Sequence, residues 1–518
     1  MSPVQRIRPY PGLLAGVFVS VLLLSAAIAN AATAPVDAAT QAALAGGLRP
    51  TLLQAGEPLP HWSLPARMAH HRVPGVAIAV LRDGKVVHST GYGLREAGTR
   101  NAVDADTLFS VGSVSKVVTA AATLRLVDDG TLDLDRDVDS YLSSWQVPAS
   151  AEVPDPVVTL RMLMSHTAGL NVHGFADYQP GEALPTLLQI VEGQPPARNK
   201  PVRLIHPPGE RGDYSGGGVM IEQLVLEDAT GSDLESIVRG QVFGPLGMRR
   251  STFANPLPAA TANVARAHDG EGAPTALPRG WESFPEQAAS GLWTSGNDLA
   301  AFVAALLGSY RGDGGFLHRP LAVQMMTEVS PSWHGLGPRL DGAGEARIFH
   351  HGGSNDSYRA WIEGYLETGD GFVILSNGAN GGALVSEIRN ALSDAIGRGV
   401  NPPIRAIALD LREPAYADYA GTFVADPAVP MDLRRALADL FDIEVLEVTV
   451  ADGRLGIGLP GGEHMQLMQP LAPNRFASPD PGSLQVEFHR NARGKVNALS
   501  VEHGAGRMHY TRREPGGK

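Results

Sequence analysis

The chain is predicted to be an α+β protein. Its first 398 residues build an antiparallel sheet from their two ends, with a helical insertion between, and a small all-β domain follows from residue 405. Three observations carry this. Strand patterns occur before residue 93 and after residue 346, with helical patterns between them. The run Gly399-Val400-Asn401-Pro402-Pro403 then breaks the chain. Beyond it, only short strand candidates separated by turn dipeptides recur.

Taken in order, the first 31 residues read as an export leader. Arg6 and Arg8 precede an apolar run from Leu13 to Ile28, and Ala29-Asn30-Ala31 offers a small-residue cleavage site. The run is shorter than a membrane span of ~20 residues, so cleavage is expected rather than anchoring. Residues 32–59, rich in Ala, Thr, Pro and Gly, read as a linker. Val76–Leu81 is a buried strand pattern, Asp83-Gly84 turns it, and Lys85–His88 returns as a hairpin arm ending near Gly91-Tyr92-Gly93. An apolar helix follows from about Gly112 to Asp128-Asp129-Gly130. Further helices are expected over Ile221–Ala229, Leu234–Val242 and Asn297–Leu307. Strands are expected over Ala346–His350, Ala360–Leu366 and Gly371–Ser376, and a helix over Glu387–Ile396 closes the unit spanning 60–398. The region 405–516 carries strand patterns at Ile443–Val450, Leu455–Leu459, Leu484–Phe488, Val496–Val501 and Met508–Thr511, a barrel-like arrangement.

Composition narrows the function classes. The 518 residues are 43% hydrophobic and 19% charged, which is globular. A net charge of −12 with no basic cluster argues against a nucleic-acid partner. Cysteine is absent, so disulfides and thiol catalysis are ruled out. With the leader, this predicts a bacterial protein exported to the periplasm or beyond, with no stable membrane span once the leader is removed.

The most telling residues are Ser113-Val114-Ser115-Lys116 at the start of the apolar helix. Three residues apart on a helix, Ser113 and Lys116 share a face. Apolar neighbours strip water from the amine and favour its neutral form, which can accept the serine proton. The competing reading is a helix-capping serine followed by a surface lysine. Of only five lysines, however, Lys85, Lys200, Lys495 and Lys518 lie at turns, a proline or the terminus, and Lys116 alone sits within an apolar helix. Tyr214, on the loop Tyr214-Ser215-Gly216-Gly217-Gly218, is a candidate proton relay; alone it would read as a packed tyrosine. His350-His351-Gly352-Gly353-Ser354-Asn355 follows a predicted strand, and its glycines would let a substrate lie against the backbone. Adjacent histidines on a strand face opposite ways and chelate poorly, so no metal and no other cofactor is expected. No Gly-x-Ser-x-Gly occurs, which argues against an α/β-hydrolase.

These elements, in the order Ser-x-x-Lys, Tyr, His-x-Gly, resemble the serine β-lactamase and penicillin-binding-protein-like hydrolases. The similarity is greatest to the class C branch, with its D-stereospecific peptidases, carboxypeptidase-type enzymes and family VIII esterases. Pro74-Gly75-Val76, Asp106-Thr107-Leu108-Phe109, Leu163–Leu170, Pro245-Leu246-Gly247-Met248 and Gly291–Leu299 extend the resemblance over about 60–398, and Tyr419–Phe423 extends it into the β-rich domain. The resemblance implies a β-lactamase/transpeptidase-like fold and a serine hydrolase working through an acyl-enzyme. Ser113 would be the nucleophile, with Lys116 and Tyr214 sharing the acid/base work. His351, Gly352 and Gly353 would stand where other members have Lys-Thr-Gly, and the N–H groups of Ser113 and Ser354 would hold the oxyanion. Ser165–Leu170 would be structural, with His166 packed or capping. Two departures stand out: Gly216 replaces an Asn that binds acyl amides, and His351 replaces a lysine. Both put strong β-lactamase activity in doubt, loosen the demand for a peptide-like substrate and make an ester or unusual amide more plausible, within the broader expectation of a small-molecule or peptide-like ester or amide substrate. The alternatives are a class C-like β-lactamase, a D-Ala-D-Ala carboxypeptidase, or a catalytically silent ligand sensor. Oligomeric state is open.

Overall fold

Alternation along one strand organises the molecule. In β1 (Gly75–Arg82) every residue up to Leu81 is buried, because both faces of the strand are covered. Val76, Ile78 and Val80 point to one layer, where α1 (Ala38–Gly46), α2 (Leu64–His71) and α6 (Gly381–Ile396) pack. Ala77, Ala79 and Leu81 point to the other, into the main core formed with α3 (Val114–Asp128), α4 (Gly216–Thr230) and α5 (Gly296–Arg311). The structure, a computed structural model, describes residues 37–151, 153–277, 280–413, 416–426, 445–461, 465–478, 484–503 and 506–513. The predicted leader lies outside the described residues.

The sheet has six strands in the order β2-β1-β6-β5-β4-β3, with β2 at Lys85–Gly93, β3 at Arg339–Asp341, β4 at Ile348–Ser354, β5 at Arg359–Tyr365 and β6 at Gly371–Ser376. All neighbours are antiparallel, and the β1–β6 pairing joins the two ends of the unit. The predicted α+β arrangement, sheet at the ends and helices between, is the one observed. Helix Leu234–Val238 ends earlier than expected and passes into a wider turn over Arg239–Phe243.

Two local expectations are corrected. The described part of the expected 32–59 linker is not an open tether. Asp37 caps α1 by accepting the N–H groups of Ala39 and Thr40, and Ala43 and Leu44 bury against the sheet layer. Alanine, read there as linker composition, is the best helix former. Further on, Leu52–Leu53 pairs in parallel with Ile404–Arg405. The second correction is at β4, which starts two residues later than expected and runs on to Ser354, so His351, Gly352 and Gly353 lie in the strand rather than after it.

The C-terminal part is a closed eight-stranded barrel. Its strands are β7 (Gly421–Ala425), β8 (Val445–Ala451), β9 (Arg454–Gly458), β10 (Gln466–Ala472), β11 (Arg475–Ala477), β12 (Gln485–Arg490), β13 (Val496–His503) and β14 (Gly506–Arg512). Pairing of β7 with β14 closes it. Tyr419, Phe423, Phe476 and Phe488 pack ring against ring in its centre. Among the described residues no helix is long and apolar enough to cross a membrane.

Candidate active site

The site forms where the N-terminus of α3 meets the end of β4. Ser113 is the cap residue of α3, yet its side chain makes no capping bond. Its hydroxyl instead accepts a hydrogen bond from Lys116 Nζ at 3.1 Å. Lys116 is only 4% exposed and also donates to the Ala289 carbonyl at 2.9 Å. The surface-lysine reading is therefore excluded. Ser115, which shares the motif, turns away and bonds the Gly112 carbonyl.

Tyr214 completes the group. Its ring is buried, and its centroid lies 5.0 Å from Lys116 Nζ and 5.1 Å from the Arg339 guanidinium carbon. The Lys116 amine and the Arg339 guanidinium thus both lie against the phenol ring. His166 holds the tyrosine loop from both sides of Tyr214. Its carbonyl accepts from Asp213 N–H at 2.8 Å, and its Nδ1 accepts from Ser215 N–H at 3.3 Å. That fixes the Nε2-protonated form of the ring, which packs 4.4 Å from the Tyr214 ring. The Leu163–Leu170 segment therefore positions the tyrosine.

β4 lies across the group. Gly353 approaches the serine loop so closely that a Cβ there would lie 1.9 Å from the Val111 carbonyl oxygen and 3.3 Å from the Ser113 nitrogen. Gly112, at φ +49°, returns the contact: its Cβ would lie 2.9 Å from the Ser354 nitrogen. The backbones of Ser113 and Ser354 are thus juxtaposed. Ser113 N–H is among the first donors of α3, which have no partner within the helix. His351 faces Tyr214, with ring centroids 6.2 Å apart. Its Nδ1 lies 2.7 Å from the Gly352 carbonyl. Burial, then Arg339, His334 and Lys116, push His351 well below the ordinary histidine range, so it is neutral. His350 points the other way and stacks on Trp361, as alternation requires. Gly352 also faces Trp361, so it offers the cleft backbone only.

Sequence reasoning did not find His173, His334 or Arg339, which ring Tyr214. No local motif marks them; chain topology alone brings them to the tyrosine. It also read Gly216 only as a missing amide. The structure gives the cause: a Cβ on Gly216 would lie 2.8 Å from Phe175 Cε2 and 3.2 Å from the His173 carbonyl. An aromatic ring lies against this glycine.

A family model described as Beta-lactamase matches residues 64–395. Penicillin-binding protein 4 of Amycolatopsis lactamdurans is 35% identical over 213 residues, 41% of this chain and 53% of that protein. Esterase EstB of Burkholderia gladioli is 30% identical over 226 residues, 42% of this chain and 55% of that protein. The chain thus spans about half the length of these curated relatives. The octameric penicillin-binding protein homologue from Pyrococcus abyssi shares the fold, with a TM-score of 0.55 at 21% identity, covering 86% of this chain and 97% of that one.

Proposed function

The chain belongs to the β-lactamase family, and from that premise we propose that it is a serine hydrolase acting through an acyl-enzyme on Ser113. One observation carries the proposal: the Lys116 amine, shielded from water, lies 3.1 Å from the Ser113 hydroxyl. In this reading Ser113 Oγ attacks a carbonyl carbon while its proton passes to Lys116 Nζ. The N–H groups of Ser113 and Ser354 receive the developing oxyanion. Tyr214 relays the proton to the departing oxygen or nitrogen. Water then enters, gives a proton to the same pair of groups and bonds the acyl carbon through its oxygen; the bond to Ser113 Oγ breaks and the pair returns the proton to Oγ.

An ester or simple amide suits this cleft. Neutral His351 supplies no positive charge to clamp a substrate carboxylate. Phe175 lies where a residue larger than Gly216 would have to go. Both features weigh against a β-lactam or a D-Ala-D-Ala peptide as the preferred substrate. The leader-like first 31 residues support export to the periplasm or beyond.

The test is mass spectrometry of the intact protein after exposure to a fluorophosphonate, p-nitrophenyl acetate and benzylpenicillin. The expected result is a covalent adduct on Ser113 that is lost in Ser113→Ala, formed faster with the ester than with the penicillin. No adduct with any of the three would overturn the proposal and favour a silent binder.

A further inference from the structure

Four carboxyl groups from distant parts of the chain converge beside this cleft. The loop after Asn171 passes over the tyrosine segment: Gly216 N–H donates to the His173 carbonyl, and Phe175 touches Gly216. Two residues on, Asp177 Oδ2 accepts the N–H of Asp356 at 3.2 Å. Asp356 is two residues beyond Ser354, at most about 7 Å of extended chain. Asp177 therefore bridges the tyrosine side and the oxyanion side of the cleft. Behind it, Tyr178 pairs with Ser283, which brings in Glu282 and Glu286. Glu282 binds the Ser357 hydroxyl through Oε1 only.

Two arginines act on the cluster, Arg359 on Asp356 and Asp177 and Arg198 on Glu286, and neither forms an ion pair with it. Arg198 is engaged by Glu182 and by the Tyr178 ring. Arg359 donates to the carbonyls of Asn355 and Tyr358. No ion pair reaches the four acids among the described residues, and two of their oxygens, Glu282 Oε2 and Glu286 Oε2, accept no hydrogen bond. Glu282 is 5% exposed and Glu286 1%. Orphaned buried oxygens of this kind are rare and call for an explanation. Asp177 is pushed up to about 7 by burial and then by Asp356, with Glu282 adding to the effect. Glu286 is pushed up to about 8, first by burial and then by Asp177. Burial above all thus favours the protonated forms of Asp177 and Glu286.

We propose that Asp177 and Asp356, backed by Glu282 and Glu286, form a subsite for a protonated amine on the acyl part of the substrate. This rests on the acyl-enzyme reading above and narrows it to acyl groups that carry an ammonium close to the reacting carbonyl. An ammonium there would favour the ionised carboxylates and give their unbonded oxygens a donor.

The experiment compares glycine p-nitrophenyl ester with p-nitrophenyl propionate, which differ only in an ammonium in place of a methyl group. The ratio of their kcat/KM values is measured for the full chain and for Asp177→Asn and Glu286→Gln. The ratio is expected to fall about tenfold in Asp177→Asn, the worth of one charge-assisted contact, and less in Glu286→Gln. A second measurement needs no variant: glycinamide, but not propionamide, should slow fluorophosphonate labelling of Ser113, more strongly at pH 7.5 than at pH 5.5 as the carboxyls ionise. An unchanged ratio, or equal protection by the two amides, would overturn the subsite while Ser113 labelling kept the acyl-enzyme reading intact. Absence of labelling by any reagent would remove that reading and the subsite with it.

Discussion

Replacing Lys116 with methionine separates its chemical role from its structural one. Methionine has nearly the same length, so the buried channel stays filled. Two hydrogen bonds are lost, one to Ser113 Oγ and one to the Ala289 carbonyl. The carbonyl left without this donor costs about 1–3 kcal/mol of stability, offset in part because an amine is no longer buried. A melting point lower by a few degrees is the most this allows. The loss of a positioned base is larger, roughly 10²–10⁴-fold in acylation rate. At 1.36 kcal/mol per decade that is about 3–5 kcal/mol of barrier. Stopped-flow measurement of the p-nitrophenolate burst from p-nitrophenyl acetate reads acylation alone, and a thermal melt reads the fold. A burst rate within tenfold of wild type in a folded Lys116→Met protein would refute the assignment of the amine as proton acceptor.

Three further outcomes follow from the geometry. Gly353→Ala places a Cβ 1.9 Å from the Val111 oxygen and must push β4 away from the serine loop, so the burst rate should fall at least ~100-fold, and retained activity would show that the close approach is unnecessary. Gly216→Asn alone should lower the melting point without gaining nitrocefin hydrolysis, because Phe175 is in the way, whereas adding Phe175→Ala should restore stability; equal effects in the single and double variants would dissolve the coupling. Glu222 is fully buried, bonded to Thr123, and pushed up to about 7 by burial. The folded carboxyl keeps its proton up to about pH 7 and the unfolded one loses it near about pH 4, so folded stability is lost as pH rises through that window, by about 3 kcal/mol in all. Glu222→Gln should therefore melt higher than wild type at pH 8 and gain little at pH 4.5; the same gain at both would refute the assignment.

What the sequence made legible was local. Val76–Leu81 and Gly371–Ser376 announced themselves as uninterrupted apolar runs, and the helix after Ser113 by its small apolar residues and its Asp-Asp-Gly stop. Ser113 and Lys116 were readable because a helix fixes the spacing of their side chains. The strand through His351, Gly352 and Gly353 was not, because glycine ordinarily argues against a strand interior; here its lack of a side chain is what admits the serine loop. The barrel strands β10 and β11 escaped for another reason: Gln466 and Leu467 are both exposed and Pro470 interrupts the pattern, so no alternation marks the pair. The carboxyl cluster unites residues 177, 282, 286 and 356, and no window of sequence contains more than two of them.

The parallel pairing of Leu52–Leu53 with Ile404–Arg405 has a practical corollary for protein engineering. The backbone on either side of that pairing is committed. Ala406 N–H reaches the Leu53 carbonyl, Arg405 reaches the Glu57 carbonyl, and Ile407 N–H reaches the Pro470 carbonyl on the barrel. Leu52, Ala406 and Ala477 share one small apolar cluster. A chimera that grafts another barrel onto this hydrolase at residue 405 would leave that seam half-sewn. Residues 48–57 have to travel with the graft.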